Sequence, residues 1–324
     1  MQAAATKSTR TALTFGERIQ LGLLRALMWV ARLLAPLRAR GRGLGVERFR
    51  YGSHRLELGD LIEAPVGAAP ECTPVVFIHG GGWIAGHREL YTGDLAFLAY
   101  EGRPVANLDY PLAPEAPHPE PLRALLRALA HLRREDERFA RVHLVGDSAG
   151  GNLAVMLALL LERRDALESW APGATPDTHP EIASVVSIYG VLDRLSWLQH
   201  GFPMARLMMR SYGGPAALEP EVGPELAITP LDLEIRGGPP MWIAYGDRDQ
   251  LAEASRLGAA HLERGGVRTH LECHPGQGHG FFNFAKRPES QRLRADIARF
   301  LAEVDAEASD ETAGEANESG GPIA

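Results

Sequence analysis

The chain has 324 residues, of which 45% are hydrophobic and 23% are charged, ordinary values for a globular protein with enough apolar side chains for one large core. Its net charge of −7 is unevenly spread, because residues 1–50 carry ten Lys/Arg against two acids, whereas residues 301–324 carry seven acids and no base. The main body is therefore acidic, which argues against a protein built to bind nucleic acid.

The chain contains only two cysteines, Cys72 and Cys273. They are too few for a disulfide framework and do not form a C-x-x-C pair, so free thiols in a reducing, cytoplasmic compartment are the simpler interpretation. The sequence also lacks an H-E-x-x-H motif and a G-x-x-x-x-G-K phosphate loop. We therefore expect no metal ion and no cofactor, and nothing in the sequence indicates an oligomeric state.

Residues 1–45 are an N-terminal segment with one amphipathic helix, predicted over 17–35 and ending near Pro36. Three arginines recur every seven residues and share one face of this helix: Arg18, Arg25 and Arg32. Charges within the stretch 17–37 argue against a membrane-spanning helix and against a signal peptide. Two interpretations stay open: the helix packs on the main domain as part of a cap, or it lies in a membrane surface as a peripheral contact.

From residue 46 onward, short apolar runs alternate with helical patterns. The predicted strands are 46–52, 55–62, 74–79, 103–110, 142–147, 182–190, 240–246 and 267–274. The predicted helices are 88–101, 119–134, 149–164, 252–264 and 288–305. Repeated β-α units of this kind predict an α/β fold, with a mostly parallel central sheet of about eight strands and helices on both faces.

One interval breaks this rhythm, because residues 191–239 are too long for a loop without structure of its own. Apolar residues recur there at roughly helical spacing, so we interpret the interval as cap helices inserted into a main domain that spans residues 46–305. The acidic tail 306–324 has almost no large apolar side chains and is predicted to be disordered. We expect the same of the small and polar residues 1–16.

The run "VHLVGDSAGGN" places a G-x-S-x-G motif, Gly146 to Gly150, at the end of a strand and before a helix. A serine raised on such a sharp turn is exposed as a nucleophile, and the flanking glycines allow the strand and the helix to approach each other. We therefore interpret Ser148 as the nucleophile. The following helix directs its positive N-terminal end towards the same point.

Three consecutive glycines, Gly80 to Gly82, follow the apolar run "VVFIH". When a serine attacks a carbonyl group, the carbonyl oxygen gains negative charge, and backbone N–H groups fixed in advance stabilise that charge. Glycines let the backbone come within hydrogen-bonding distance of this oxygen. The N–H group of Ala149, directly after the nucleophile, is a further donor.

Together, "HGGGW", "DYPLAPE" (109–115) and "GDSAGGN" (146–152) resemble the hormone-sensitive-lipase branch of the α/β-hydrolases, over about residues 46–305. The resemblance implies an eight-stranded sheet and a cap made of the N-terminal helices and the segment after the sixth strand. It also implies hydrolysis of carboxylic esters without a cofactor. It places the oxyanion donors on the following residues: Gly81, Gly82 and Ala149.

A serine nucleophile of this kind needs an acid and a histidine, in that order along the chain. Two aspartates compete for the acid, Asp247 and Asp249, and the family pattern G-x-x-D-x-L favours Asp249. Asp247 is then expected to cap the following turn. The family's histidine-glycine-phenylalanine ending matches His279, whereas His270 and His274 lie on the preceding strand and are interpreted as structural.

Further residues are candidates for supporting roles. Four of them are interpreted as lining the substrate pocket: Trp83, Tyr189, Phe202 and Met208. For Trp83, plain packing is an equally good interpretation. His79 is expected to orient the glycine loop, and three acidic residues are expected to anchor the loops around the site: Asp109, Glu115 and Asp147.

The sequence thus predicts a serine hydrolase that cleaves small or medium-sized carboxylic esters. The same three side chains support an amidase, a deacetylase or an acyltransferase, and these alternatives stay open. A ligand-binding protein that has kept the fold without catalysis is disfavoured, because candidates for serine, acid and histidine are all present.

Overall fold

The chain builds one sheet whose strands are numbered along the sequence. In a computed structural model, residues 13–39, 43–63, 72–163, 167, 170, 176–223 and 226–318 are described. The strands are β1 (Gly45–Arg50), β2 (Leu58–Glu63), β3 (Val75–Ile78), β4 (Val105–Leu108), β5 (Arg141–Asp147), β6 (Glu181–Ile188), β7 (Met241–Gly246) and β8 (Thr269–His274). All eight predicted strands are present, with ends shifted by a few residues.

The spatial order of the strands is β1-β2-β4-β3-β5-β6-β7-β8. Only β2 runs antiparallel to its neighbours, and the remaining pairs are parallel. The predicted α/β fold with a mostly parallel sheet of eight strands is therefore confirmed. The carboxyl ends of β3, β5, β6, β7 and β8 lie at one edge of the sheet, which is where ligand sites form in such folds.

Helices connect the strands. They are α1 (Phe15–Ala39), α2 (Ala96–Tyr100), α3 (Glu120–Glu135), α4 (Ala149–Leu161), α5 (Arg194–Gln199), α6 (Ala205–Gly213), α7 (Ala252–Arg264) and α8 (Pro288–Glu318). Strand β3 shows why the strands appear as unbroken apolar runs in the sequence. Its side chains alternate between two core clusters, with Val76 and Ile78 in one and Val75 and Phe77 in the other, and all four are fully buried.

Both ends of the described chain differ from the predictions. Helix α1 begins at Phe15, inside the segment expected to be disordered, and continues three residues past Pro36 to Ala39. A proline this close to the end of a helix removes only one of the last backbone hydrogen bonds. The helix therefore continues past Pro36. Residues 1–12 of the segment expected to be disordered lie outside the described residues.

The acidic tail is the second correction. Helix α8 continues to Glu318, although residues from 306 onward were predicted to be disordered. Alanine and glutamate recur in this stretch and both have high helix propensity, so a helix already formed by the preceding residues extends without large apolar side chains. The final residues, 319–324, lie outside the described part of the chain.

In the described part of the interval 191–239 lie helices α5 and α6 and short 3-10 turns at Pro215–Leu218 and Pro230–Asp232. Asp193 caps α5 by accepting hydrogen bonds from the N–H groups of Leu195 and Ser196. This interval, from here on called the insertion, follows β6 and therefore leaves the sheet at the edge where the parallel strands end.

Candidate active site

Ser148 lies in a sharp turn between β5 and α4. Its backbone is in a left-handed conformation, with φ 53° and ψ −119°, which costs a residue with a side chain about 1–3 kcal/mol. Its N–H group donates to the carbonyl of Ile188 at the end of β6 (2.8 Å). The turn therefore raises the Ser148 hydroxyl above the carboxyl end of the sheet.

The glycines on either side of Ser148 allow this turn. A Cβ atom on Gly146 would collide with the carbonyl of Gly150, and a Cβ atom on Gly150 would collide with the carbonyl of Ile78. In both cases the obstacle is backbone, which has no alternative rotamer. The spacing in G-x-S-x-G thus follows from how closely α4 approaches β5 and β3.

His279 reaches the serine from the loop after β8. Its Nε2 lies 3.0 Å from Ser148 Oγ and its Nδ1 lies 2.8 Å from Asp249 Oδ2. Asp249 is buried, and its second oxygen accepts the N–H group of Leu251 (2.9 Å). The structure thus brings the three predicted side chains together in one hydrogen-bonded chain, an arrangement that can move a proton away from the serine hydroxyl.

The rejected candidates lie elsewhere. Asp247 accepts the N–H group of Gly276 (2.6 Å) in the loop that leads to His279, whereas it was expected to cap the turn that follows it. His274 is buried and contacts Glu289, and His270 faces solvent on β8. None of these three side chains makes a hydrogen bond to Ser148 among the described residues.

The loop after β3 has an unusual backbone. Gly81, Gly82 and Trp83 all have positive φ angles, of 119°, 59° and 60°. A Cβ atom on Gly81 would collide with the carbonyl of Ala85, and one on Gly82 would collide with the sulfur of Met208. The positive φ angles favour glycine at both positions, and at Gly81 the backbone obstacle also excludes a side chain.

The N–H groups of Gly81, Gly82 and Ala149 do not donate hydrogen bonds to any described residue. Ala149 is the first residue of α4, so its N–H group belongs to the positive end of that helix. Three backbone donors without acceptors on the two loops next to a serine hydroxyl are what a developing oxyanion requires.

The chain was compared with known proteins. A family model described as alpha/beta hydrolase fold matches residues 75–283. The chain belongs to this family.

Individual relatives agree with this family. The chain is similar to an esterase of Acinetobacter venetianus, with 29% identity over 258 residues that cover 76% of this chain and 79% of that protein. It is also similar to hormone-sensitive lipase of Bos taurus, with 31% identity over 209 residues, which are 61% of this chain but only 26% of that longer protein.

A solved structure of esterase B from Lactobacillus rhamnosis superimposes with a TM-score of 0.76 over 92% of this chain and 99% of that one. At 19% identity, this likeness concerns the fold.

In this α/β-hydrolase, a buried charge cluster supports the glycine loop. His79 Nδ1 lies 2.7 Å from the carbonyl of Gly80, and its Nε2 lies 3.5 Å from Asp109. Arg88, which the sequence analysis missed, is buried and pairs with Asp109 through its side chain and its backbone N–H group. Burial alone would raise the pKa of Asp109, but His79, His87 and Arg88 together hold it at about 2.

Asp147 links the serine turn to the glycine loop. Its Oδ1 accepts the N–H group of Gly80 (2.7 Å), and its Oδ2 accepts the hydroxyl of Tyr91 (3.0 Å). Burial raises the pKa of Asp147 to about 6, against the lowering effect of these hydrogen bonds. Tyr91 was also missed, because an isolated tyrosine between two predicted strands carries no signal of such a contact.

Aromatic and apolar side chains surround the imidazole. The ring of Tyr189 lies 4.8 Å from that of His279, and Phe202 of the insertion lies nearly perpendicular to it at 4.9 Å. Met208 packs over Gly82. Tyr189 and Trp83 are both fully buried, and Trp83 stacks on Tyr212 with 4.5 Å between centroids.

Two further findings concern the described part of the chain. No group of three His, Cys, Asp or Glu side chains is arranged there to hold a metal ion. None of the helices in that part combines the length and the apolar character needed to cross a membrane.

Proposed function

We propose that this chain is a serine hydrolase that cleaves carboxylic esters of small to medium size through an acyl intermediate on Ser148. The observation that carries the proposal is the hydrogen-bonded chain from Ser148 through His279 to Asp249 (3.0 and 2.8 Å). The names of the relatives, esterase and hormone-sensitive lipase, support the same reaction class.

In the first half of the reaction, the oxygen of Ser148 attacks the ester carbonyl while His279 Nε2 takes its proton. The carbonyl oxygen becomes an oxyanion and receives hydrogen bonds from the N–H groups of Gly81, Gly82 and Ala149. One such donor lowers the barrier by roughly 2.7–4 kcal/mol in other hydrolytic enzymes. The imidazolium of His279 then protonates the leaving alcohol.

In the second half, His279 removes a proton from a water molecule that attacks the acyl group on Ser148. The bond between the acyl carbon and Ser148 Oγ then breaks, the imidazolium returns the proton to Oγ, and the acid is released. Asp249 keeps the proton of neutral His279 on Nδ1, so that Nε2 is free to accept, and it stabilises the imidazolium.

The substrate pocket is proposed to lie between the glycine loop and the insertion. Phe202 and Met208 bring apolar surface next to His279 and Gly82, which suits a hydrophobic acyl or alcohol group. Tyr189 borders the same space through its contact with His279. Trp83 is assigned to packing, because its ring stacks on Tyr212 and meets Trp197 edge-on.

The test is hydrolysis of p-nitrophenyl acetate and butyrate by wild type and by Ser148→Ala. We expect release of p-nitrophenol by the wild type and a loss of kcat of roughly 10⁶-fold in the variant, as for other serine nucleophiles. A p-nitrophenyl phosphonate should label Ser148 alone, as read by peptide mass spectrometry. Retained activity in the variant, or a label on another serine, would contradict the proposal.

We propose further that α1 lies on an anionic lipid surface. Two of its arginines turn towards the main domain, where Arg25 pairs with Glu115 and Arg32 pairs with Glu89. The opposite face is uncharged and points to solvent, and its large side chains are 47–80% exposed: Phe15, Ile19, Leu23, Leu27, Trp29, Val30 and Leu33. An amphipathic helix on a soluble domain has the reverse arrangement.

We propose an anionic lipid because the N-terminal residues are basic. Residues 1–50 carry a surplus of eight positive charges on a chain that is otherwise acidic, and of these arginines Arg25 and Arg32 are paired with acids of the main domain. Apolar helices flanked by basic residues bind anionic membranes. Apolar esters also collect at such surfaces.

Co-sedimentation with phosphatidylglycerol and with phosphatidylcholine vesicles tests this placement. The double variant Leu23→Ser, Leu27→Ser should lose binding to phosphatidylglycerol vesicles, whereas Leu257→Ser, which changes an exposed leucine on α7, should keep it. If the double variant binds vesicles as the wild type does, or if it instead dissociates a dimer seen by analytical ultracentrifugation, the lipid proposal is wrong.

A further inference from the structure

Arg25 of α1 reaches two backbone carbonyls beside the glycine loop. Its Nε donates to the carbonyl of Ile84 (2.8 Å), and its Nη2 donates to the carbonyl of Ala113 (2.8 Å). The same guanidinium forms a two-pronged pair with Glu115, at 2.8 and 2.7 Å. All three nitrogens of one side chain are thus engaged with segments that lie 59 and 88 to 90 residues away in the sequence.

These two segments are the glycine loop and the stretch packed against it. Within the loop, the N–H groups of Ile84 and Ala85 both donate to the carbonyl of Gly81 (3.2 and 3.1 Å). Between the segments, the N–H group of Ala113 donates to the carbonyl of Trp83 (2.9 Å). Arg25 therefore fastens the same turn whose first residue, Gly81, is proposed to supply an oxyanion donor.

The glycine loop needs contacts from other segments to keep its conformation. Three consecutive residues have positive φ, and one of them, Trp83, carries a large side chain. A non-glycine residue in this region persists only where the surrounding structure fixes it. The indole of Trp83 is held by its stack on Tyr212, but the backbone of the turn is held from outside by Arg25.

Stability alone does not account for this arrangement. The side chains of Arg25 and Glu115 are 30% and 59% exposed, and ion pairs at such exposure contribute little to folding. The geometry is more specific than a surface ion pair, because a planar guanidinium is needed to serve two carbonyls and a carboxylate together. The contacts of Arg25 therefore serve to fix the positions of the Ile84 and Ala113 carbonyl groups.

We infer that Arg25 is a positioning residue of the reaction: it holds the glycine loop so that the N–H groups of Gly81 and Gly82 point at the oxyanion. This inference rests on the proposed function. It also makes α1, whose outer face is proposed to contact lipid, a support of the active site. Arg25 acts through the loop and does not touch the substrate.

The experiment compares Arg25→Ala with Arg32→Ala on p-nitrophenyl butyrate. Arg32 lies on the same helix and pairs with Glu89, so its removal loses a similar docking contact without freeing the loop. Because oxyanion donors act only in the transition state, kcat should fall roughly ten- to hundredfold in Arg25→Ala with KM changed less than about threefold. Arg32→Ala should keep kcat within about twofold of wild type.

Inhibition by a trifluoromethyl ketone is a measurement that a purely structural role of Arg25 would not change. Ser148 Oγ forms a bond to its carbonyl carbon, the π electrons move to the oxygen, and the serine proton passes to His279. Because this adduct mimics the transition state, its inhibition constant should rise in Arg25→Ala by the factor that kcat/KM falls. Arg25→Lys keeps the positive charge but lacks the planar guanidinium that makes several hydrogen bonds at once. Compared with Arg25→Ala, it should recover only part of the lost kcat/KM and of the lost ketone affinity.

Two outcomes overturn the inference: Arg25→Ala keeps kcat and ketone affinity within about twofold of wild type, or Arg25→Ala and Arg32→Ala lower kcat equally. Equal losses would show that docking of α1 as a whole is what matters. Thermal unfolding of each variant confirms that folded protein is compared. A wild-type chain without esterase activity would overturn the proposed function, and this inference with it.

Discussion

At the scale of single residues, two aspartates two positions apart have different partners. Asp249 is buried and accepts His279 Nδ1–H, whereas Asp247 binds the N–H group of Gly276. Asp249→Asn should lower kcat about 10⁴-fold, because an amide opposite Nδ1 favours the wrong tautomer of the imidazole. The measurement is kcat on p-nitrophenyl butyrate.

Asp247→Asn is the matched control. Its side-chain oxygen still accepts the N–H group of Gly276, so we expect kcat within about threefold of the wild type. If Asp247→Asn were the more damaging change, the assignment of the acid to Asp249 would be wrong.

Asp147 gives a prediction about pH. Its pKa in the folded chain is about 6, above the ordinary value of 3.8, so between these values the folded state holds a proton that the unfolded state has lost. The free energy of unfolding therefore decreases as the pH rises from 4 to 6, by up to about 3 kcal/mol from this group.

Asp147→Asn removes this titration and keeps groups that pair with Gly80 and Tyr91. The variant should gain stability relative to the wild type as the pH rises from 4 to 7, as measured by urea unfolding at each pH. A stability difference that is constant over this range would contradict the raised pKa of Asp147.

At the scale of elements, the approach of α4 to β3 sets the turn that carries Ser148. Gly150→Ala would place a methyl group against the carbonyl of Ile78, and since backbone must move, we expect a loss of about 3 kcal/mol in the free energy of unfolding. Urea unfolding measures this loss.

Gly22→Ala on α1 makes the same chemical change where no atom lies within 4 Å of the added carbon. It should raise stability by up to about 1 kcal/mol, because alanine favours helix more than glycine does. Equal effects of the two substitutions would show that crowding at Gly150 is not what requires glycine.

At the scale of the whole molecule, one carboxylate joins the C-terminal helix to the sheet. Asp305 of α8 contacts Arg103 before β4 (2.6 Å), and Arg141 and His143 of β5 (3.2 Å each). Asp305→Ala leaves the buried Arg103 and His143 without this partner, and should cost about 3 kcal/mol in urea unfolding.

Removal of residues 306–324 is the comparison, because the first of them are largely exposed on the last turns of α8. This truncation should leave the urea midpoint almost unchanged. A truncation as costly as Asp305→Ala would mean that the acidic extension of α8 is itself required for the fold.

The strands and the turn that carries Ser148 were predictable because their signals are local. Parallel strands buried on both faces must be continuous apolar runs, and Ser148 and Gly150 are marked by the tight turn between strand and helix. Asp249 required the family pattern, since Asp247 fits the same loop. The helix beyond residue 306 was missed because a lack of apolar side chains does not prevent a formed helix from extending.

The sequence by itself determined the order of strands and helices along the chain and the glycines at the two turns, because each depends on neighbours within a few residues. Only the tertiary structure decided which distant groups hold those turns. The contacts of Arg25 with the carbonyl of Ile84, of Asp147 with Gly80 and of Asp305 with Arg103 join residues 59, 67 and 202 positions apart. Such contacts depend on how the packed elements meet in space, which no local pattern of residues records.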